Sequence, residues 1–419
     1  MNKLKLIVLG LILAFPALSQ EKLTLDKCLE AAYDHMQFDV QSQSIAEGRS
    51  YAMDGSNYLN LPSFELNGNA TIQNEQIAIS VPVPGFEAPE APLNFNRLLI
   101  NFNQTIYNGG IAAKKKVIDS LSYDEQQQSL EIDKIKIKSQ VIGVYATLLV
   151  VRTNKEILKG HVKVLDKKYN QLRGAVEAGA STRSRLQVLE AERLKLQQRV
   201  DELDYSEHTL VKTLGNYTGL DLTDTVVLEM PTPEMDIDGD LNRPELSLLD
   251  TKMQGLDAKE KLVSASRLPY IGVFGTFGLG YPGYNIFDNS ISPMALGGIA
   301  IKWNIWDWNK TKNEKAQLVV GRSVMQQQKD RAELAFEREL IKQQSEVEKY
   351  QKLMASDDAI IEAQKKVSSS MSSELSNGTA TASDYTSQLN DESSARLNKE
   401  LHKIKLMLAI LTYNTLKGN

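Results

Sequence analysis

Four stretches of the chain alternate apolar and polar residues over about ten positions each, and this period predicts β-strands with one apolar face. The first two strands are predicted within about 61–107 and the last two within about 268–307. In the first strand, Phe64, Leu66 and Ala70 alternate with polar neighbours. Strands of this length and period suit tilted transmembrane strands.

Each strand pair is followed by a long proline-free stretch and a returning segment, whose apolar residues recur in steps of three and four. These heptads predict helical hairpins at about 111–218 and 310–416, packed along coiled-coil seams. In the first hairpin, Arg193 and Glu207 occupy two seam positions. At about 1.5 Å per residue, the outgoing helix of each hairpin is expected to extend roughly 100 Å.

The chain contains this architecture twice, as a tandem structural duplication. Residues 100–219 align with residues 299–418 at a constant offset of 199 without a gap, so that Gly179 falls on Gly378. A helical pattern precedes each strand pair, at 24–57 and at 241–267. The predicted organisation is a first repeat at 20–219, an equatorial linker at 220–240 and a second repeat at 241–419.

The N-terminus predicts export from the cytoplasm. Residues 1–19 combine Lys3 and Lys5 with an apolar stretch and a small-residue pattern that ends at Ser19, which is typical of a cleaved signal peptide. No later window offers 18 consecutive apolar residues, so we expect a mature membrane protein of this sequence to span with strands. The compartment is therefore the periplasm or the outer membrane.

Composition and charge exclude several classes of function. The 419 residues carry a formal net charge of −5, which argues against a nucleic-acid partner. The lone cysteine, Cys28, excludes an internal disulfide framework and a Cys-rich metal site, and it lies on an apolar helix face where we expect it to be buried. The four histidines are scattered and no catalytic motif occurs, so we predict no enzyme activity, no cofactor and no metal.

Several segments, in this order and duplicated, resemble the TolC family of outer-membrane efflux and export proteins. They are LTLDKCLEAAYDH at the mature start, NQTIYNGGIAAKKK and KWNIWDWNKTKNEK after the strand pairs, and EAGASTRSRLQVLEAE and SNGTATASDYTSQLND at the helix turns. The resemblance covers essentially the whole mature chain. It implies an α+β membrane protein, in which four transmembrane strands per protomer form a 12-stranded β-barrel as a homotrimer. The long antiparallel coiled-coil helices are then expected to form a periplasmic α-barrel.

The implied function is an outer-membrane exit duct of a tripartite efflux or type I secretion system. Such a duct conducts substrates passively from an inner-membrane pump, through a periplasmic adaptor, to the outside. The alternative is a periplasmic coiled-coil adaptor or scaffold protein. The two hairpins, paired long strands and cleavable signal of this chain favour the duct.

The two turns between the long helices admit two interpretations that are compatible. One is plain helix termination, in which a glycine ends one helix and a threonine caps the next. The other, implied by the resemblance, is a periplasmic tip that meets the adaptor. The residues concerned are Gly179, Ala180, Ser181, Thr182, Gly378, Thr379, Ala380 and Thr381.

Asp384 follows Thr381 by three positions and is expected either to complete a capping box or to line a constriction at the closed entrance. The constriction is implied by the resemblance, in which an acid at this position belongs to a ring. The family's second acid is Ser387 here, and its tip arginine is Ala380. Arg185 occupies the equivalent position in the first repeat, so an Arg185–Asp384 pair between neighbouring hairpins is a further expectation.

Aromatic residues cluster near the predicted strand ends. β-propensity alone could account for them, and the alternative is an aromatic belt in contact with outer-membrane lipid. The belt is favoured for Tyr107 and Trp306, which occupy equivalent places in the two repeats.

Overall fold

The computed structural model describes residues 22–78, 85 and 89–418. The expected signal peptide, and residues 79–84 and 86–88 of the loop that joins the first two strands, lie outside the described residues. The chain divides into two compact units, and each draws residues from both sequence repeats. The hairpin unit comprises the described residues of 22–38, 133–242 and 336–418, and the strand unit comprises those of 39–132 and 243–335.

A single antiparallel sheet of four strands lies in the strand unit, in the order β1-β2-β3-β4. Its strands are β1 (Ser63–Ile72), β2 (Asn94–Tyr107), β3 (Tyr270–Tyr281) and β4 (Ser292–Lys302). Phe64 of β1 lies opposite Phe102 of β2, with ring centroids 5.3 Å apart. The alternating patterns therefore predicted the presence of four strands correctly. Since the order runs from β1 to β4, these two strands form the edges.

The fourth strand is shorter than its alternating pattern predicts. β4 ends at Lys302, which pairs with Tyr270, the first residue of β3. Pro269 precedes Tyr270 and has no N–H to donate to a ladder. β4 therefore has no partner strand in this sheet beyond Lys302, and the pattern that continues toward residue 307 is not strand.

Seven α-helices accompany the sheet among the described residues. They are α1 (Leu25–His35), α2 (Phe38–Asn57), α3 (Ile111–Glu177), α4 (Arg183–Thr218), α5 (Pro244–Ala265), α6 (Lys310–Asn377) and α7 (Ala382–Lys417). The helical pattern at 24–57 forms two helices instead of one, because Gln37 takes a left-handed conformation with φ of 56°. In the described part of the chain, no helix is both long and apolar enough to cross a membrane.

Among the described residues, the hairpin unit contains two large apolar clusters and a smaller one around Val347, Ala409 and Ile410. The first contains several of the predicted seam leucines of α3 and α4 together with residues of α6 and α7, so the two hairpins share one core. Its buried members include Leu165, Leu172, Leu189, Leu196, Leu375, Tyr385 and Leu389. The predicted coiled-coil seams are therefore confirmed for the described helices.

The two polar seam residues of the first hairpin each form an ion pair. Glu207 is buried and accepts from Arg152 Nε at 2.7 Å, and it also contacts Lys155. Arg193 Nη1 lies 3.3 Å from Asp166 Oδ1. Buried charges need such partners, because an isolated charge is costly away from water.

The second cluster fixes the start of α1 and the linker to the long helices. Cys28 is fully buried in it, as predicted, and burial raises the pKa of its thiol to about 12. The hydroxyl of Tyr145, also buried, donates to the carbonyl oxygen of Leu23 at 2.8 Å. The backbone N–H of Glu229 donates to Tyr145 Oη at 3.1 Å. One α3 side chain therefore connects the segment just before α1 to the linker between the two repeats.

Candidate functional site at the two helical turns

The first turn, Gly179 to Thr182, closes α3 with a Schellman motif. Gly179 is left-handed with φ of 75°, and its N–H donates to Val176 O at 3.0 Å. The Ala180 N–H donates to Ala175 O at 2.7 Å, which satisfies a second terminal carbonyl. Thr182 then takes the extended N-cap conformation of α4, but its side chain makes no capping hydrogen bond.

The second turn, Gly378 to Thr381, repeats this backbone. Gly378 is left-handed with φ of 80°, and its N–H donates to Leu375 O at 3.3 Å. The Thr379 N–H donates to Glu374 O at 3.0 Å. Both turns therefore end a long helix in the same way, with a glycine where a Cβ would be strained.

Asp384 forms a capping box with Thr381 at the start of α7. The Asp384 N–H donates to Thr381 Oγ1 at 3.1 Å, and the Thr381 N–H donates to Asp384 Oδ2 at 3.1 Å. The side-chain hydrogen bond from Thr381, followed by its backbone bond, lowers the pKa of Asp384 from its ordinary value of 3.8. These contacts account for Asp384 as a cap, and its place at a constriction stays a prediction.

Arg185 connects the two turns. Its Nη2 donates to the carbonyl oxygen of Gly378 at 3.2 Å. Within the chain, Arg185 and Asp384 therefore have separate partners, and no ion pair joins them among the described residues. The guanidinium lies beside the end of α6, where cations interact favourably with the helix dipole.

A buried lysine lies between the two hairpins near their turns. Lys168 of α3 is 7% exposed, and its Nζ donates to Ser372 O at 2.7 Å, Ser372 Oγ at 3.1 Å and Ser376 Oγ at 2.7 Å. It also lies 5.5 Å from the centre of the Tyr385 ring. Burial lowers the pKa of Lys168 from its ordinary value of 10.5.

Lys168 was not among the residues that the sequence singled out. It follows Asn154 and His161 at intervals of seven, on a flank of the apolar seam. His161 is buried as well, and both residues face the second hairpin. A polar residue that recurs at one heptad position beside an apolar seam is the signal that could have identified this second contact face.

A cavity of about 310 Å³ lies between the turns, and we call it the turn cavity. Lys168, Arg185, Ser181 and Ser376 are among the residues that line it. Ser181 Oγ is buried and has no hydrogen-bond partner among the described residues. Three of the eight turn residues predicted from the sequence, Ala180, Ser181 and Gly378, therefore line a polar cavity.

The predicted belt residues lie in the strand unit. Tyr107 is the last residue of β2, where a bulge shifts its pairing to Ile271. Trp306 lies beyond the end of β4 and packs edge to face against Trp308, with ring centroids 5.8 Å apart. Both side chains are exposed, and their contact with lipid stays a prediction. Among the described residues, no cluster of three or more His, Cys, Asp or Glu side chains could hold a metal ion.

Solved structures of several outer-membrane proteins and channels match this fold of a four-stranded antiparallel sheet and two long helical hairpins. The chain matches the outer membrane protein VceC from Vibrio cholerae with a TM-score of 0.74 and 12% identity, over 94% of this chain and 96% of that one. It matches the Campylobacter jejuni CmeC outer membrane channel with a TM-score of 0.73 and 13% identity, over 94% and 85%. The match to the outer-membrane channel OprN has a TM-score of 0.75 and 13% identity, over 94% and 90%.

These solved structures are channels of the TolC family, and the protein has their fold. The predicted resemblance is therefore confirmed at the level of the fold. No protein-family model and no curated protein matches the sequence itself.

Proposed function

We propose that the chain is one protomer of a homotrimeric outer-membrane exit duct that extends into the periplasm. The duct conducts substrates passively from an inner-membrane pump, by way of a periplasmic adaptor, in a tripartite efflux or type I secretion system. The observation that carries this proposal is the channel fold, matched over 94% of the chain. The following features of the chain support it.

The edge strands need partners from other chains. Ile299 and Ile301 on the edge strand β4 are 71% and 72% exposed. Phe64 and Leu66 on the opposite edge strand, β1, are exposed as well. An edge that combines open backbone groups with exposed apolar side chains is stable only when it is paired or covered. Copies of the same chain, added edge to edge, would pair both strands and leave no open edge.

An apolar stripe on α6 within the hairpin unit points to the same assembly. Leu353, Ile360 and Val367 follow one another at intervals of seven and are all exposed in the single chain. Residues seven apart lie on one side of a helix in a coiled coil. The stripe therefore has the spacing of a seam but no partner among the described residues, and a neighbouring protomer would supply one.

The assembly can be tested at this stripe. The mature protein is expected to run as a trimer in detergent and to fractionate with the outer membrane. Ile360→Glu introduces a charge into the seam and should shift the protein toward monomers by size-exclusion chromatography with light scattering. Ser369→Glu adds the same charge at an exposed position about two and a half turns further along α6, on the opposite side of the helix, and is the matched control. A monodisperse monomer without detergent would contradict the proposal.

We further propose that the two turns dock the adaptor and that Asp384 lines the entrance. Three copies of Asp384 around a threefold axis would form a ring that attracts cations. Asp384→Ala should then weaken block by polyvalent cations in planar-bilayer recordings, while trimer stability stays nearly unchanged. Unaltered block together with a frayed start of α7 would assign Asp384 to capping alone.

A further inference from the structure

The turn cavity is positively charged and its described lining contains no acidic residue. Lys168 and Arg185 contribute two full positive charges, and the remaining lining residues are polar or apolar but uncharged. Ser181 adds a buried hydroxyl that has no partner among the described residues. The cavity therefore offers donors and positive charge without an acceptor of opposite charge.

The groups that contact the two cations compensate this charge only in part. The three Nζ hydrogens of Lys168 go to three neutral oxygens, on Ser372 and Ser376. Arg185 uses one of its five N–H donors on the carbonyl oxygen of Gly378. The carbonyl end of α6 is equivalent to about half a negative charge, which is small beside two full positive charges.

We infer that the turn cavity binds a carboxylate, supplied by an aspartate or glutamate side chain of the adaptor that docks on the turns. This inference rests on the proposed function, since it names the chemistry of the partner at the same surface. A carboxylate would neutralise the cations, accept from the guanidinium fork of Arg185 and accept from Ser181 Oγ. A cavity of about 310 Å³ has room for one such side chain.

The charge of the cavity can be measured without the adaptor. Ala180 lines the cavity, and an Ala180→Cys thiol would report the local potential through its reaction with charged methanethiosulfonates. The two probes are the sulfonatoethyl reagent, which is negative, and the trimethylammonioethyl reagent, which is positive. Cys28 will not interfere, because it is fully buried and its pKa is raised to about 12.

For each thiol, the reaction rate of the negative reagent is divided by that of the positive reagent. This ratio should be about tenfold higher for the full-length trimer than for a free thiol. Arg185→Gln should reduce this preference several-fold. Arg183→Gln removes the same charge two residues away, from an exposed side chain that does not line the cavity, and should change the preference less than twofold. Equal effects of the two substitutions, or no preference at all, would overturn the inference.

Arg185→Lys separates charge from the contact with Gly378. It keeps the positive charge and loses the planar fork, so the reagent preference should persist close to the wild-type value. A loss as large as that of Arg185→Gln would show that an altered turn, and not the charge, controls the reaction, which would also overturn the inference.

The source of the carboxylate is tested by protection with the purified adaptor. Saturating adaptor should slow the reaction of the Ala180→Cys thiol at least tenfold, and conversion of the acidic residues at the adaptor's tip to amides should restore the rate. Protection that survives those changes would overturn the assignment to an acidic side chain. If the adaptor gives no protection while the reagent preference persists, docking itself is contradicted, and with it the identity of the partner.

Discussion

The two turns between the long helices have the same backbone conformation but differ in one side chain that changes their contacts. Gly179 and Gly378 are both left-handed, with φ of 75° and 80°. Thr182 and Thr381 are both extended at the N-cap position of the helix that follows. Both repeats therefore end the outgoing helix with a left-handed glycine and begin the returning helix after an extended N-cap threonine.

The difference lies at the third position of each returning helix, which is Arg185 in α4 and Asp384 in α7. Asp384 bonds back to Thr381 and completes a capping box within its own hairpin. Arg185 reaches the carbonyl oxygen of Gly378 in the other turn and leaves Thr182 without a side-chain bond. One turn is therefore closed by local contacts, whereas the other depends on its neighbour.

The largest effect is expected at the glycines, where the two turns should behave alike. An added Cβ meets no atom within 4 Å at Gly179, and at Gly378 it meets only Arg185 Nη1 at 3.7 Å. The cost of alanine therefore comes from the left-handed backbone, about 1–2 kcal/mol at either position. Gly179→Ala and Gly378→Ala should lower the local opening free energy by similar amounts in hydrogen-exchange mass spectrometry.

Gly174 offers a control at which alanine is expected to raise, and not lower, the stability of the helix. It lies inside α3 with open space around it, so Gly174→Ala should stabilise the helix by about 0.5–1 kcal/mol. Stabilisation by alanine at either turn glycine would contradict the assignment of strain to these positions.

Alanine substitution of the two N-cap threonines should have unequal effects on the two turns, and both effects should be smaller than those of the glycine substitutions. Thr381→Ala removes the hydroxyl that accepts from the Asp384 N–H, keeps the backbone N–H that donates to Asp384 Oδ2, and should cost the first turn of α7 about 1 kcal/mol. Thr182→Ala removes no side-chain hydrogen bond and should cost less than half as much. Opening free energies of the two first turns provide the measurement. Equal losses would mean that Thr182 caps α4 in solution.

The features that local rules determine could be predicted from the sequence. The two-residue period of β1 to β3 and the heptads of the long helices identified the elements, because both patterns depend on which face of an element is buried. The glycine and threonine at each turn likewise follow from backbone strain and capping, which involve only a few neighbouring residues.

Features that depend on a distant partner could not be predicted in this way. The end of β4 at Lys302 is set by where β3 begins, which lies some thirty residues earlier in the chain. Lys168 is buried because the second hairpin packs on its side of α3. Arg185 was identified by its repeat position, but its partner is a carbonyl oxygen of the other turn, and no sequence pattern marks such an acceptor.

Arg185→Asp would make the first turn resemble the second. A carboxylate at this position can bond to Thr182 and should stabilise the first turn of α4 by roughly 0.5 kcal/mol. The same change removes the donor to Gly378, so the end of α6 should exchange faster. Hydrogen exchange that slows at the start of α4 and quickens near Gly378 would support both roles. Unchanged exchange near Gly378 would show that the contact between the turns is not maintained in solution.

The smallest effect is expected when the pH is lowered, and it should be confined to the start of α7. The bonds from Thr381 lower the pKa of Asp384 below its ordinary value of 3.8, so the fold favours the ionised carboxylate. For an acid shifted in this direction, the stabilisation is fully present above about pH 4 and is lost as the pH falls through the lowered pKa. Exchange at the first turn of α7, corrected for intrinsic rates, should therefore quicken between pH 5 and pH 2. The first turn of α4 carries Arg185 in place of the acid and should not change over this interval. Asp384→Asn should remove the pH dependence, and an equal response of both turns would contradict the capping box as its cause.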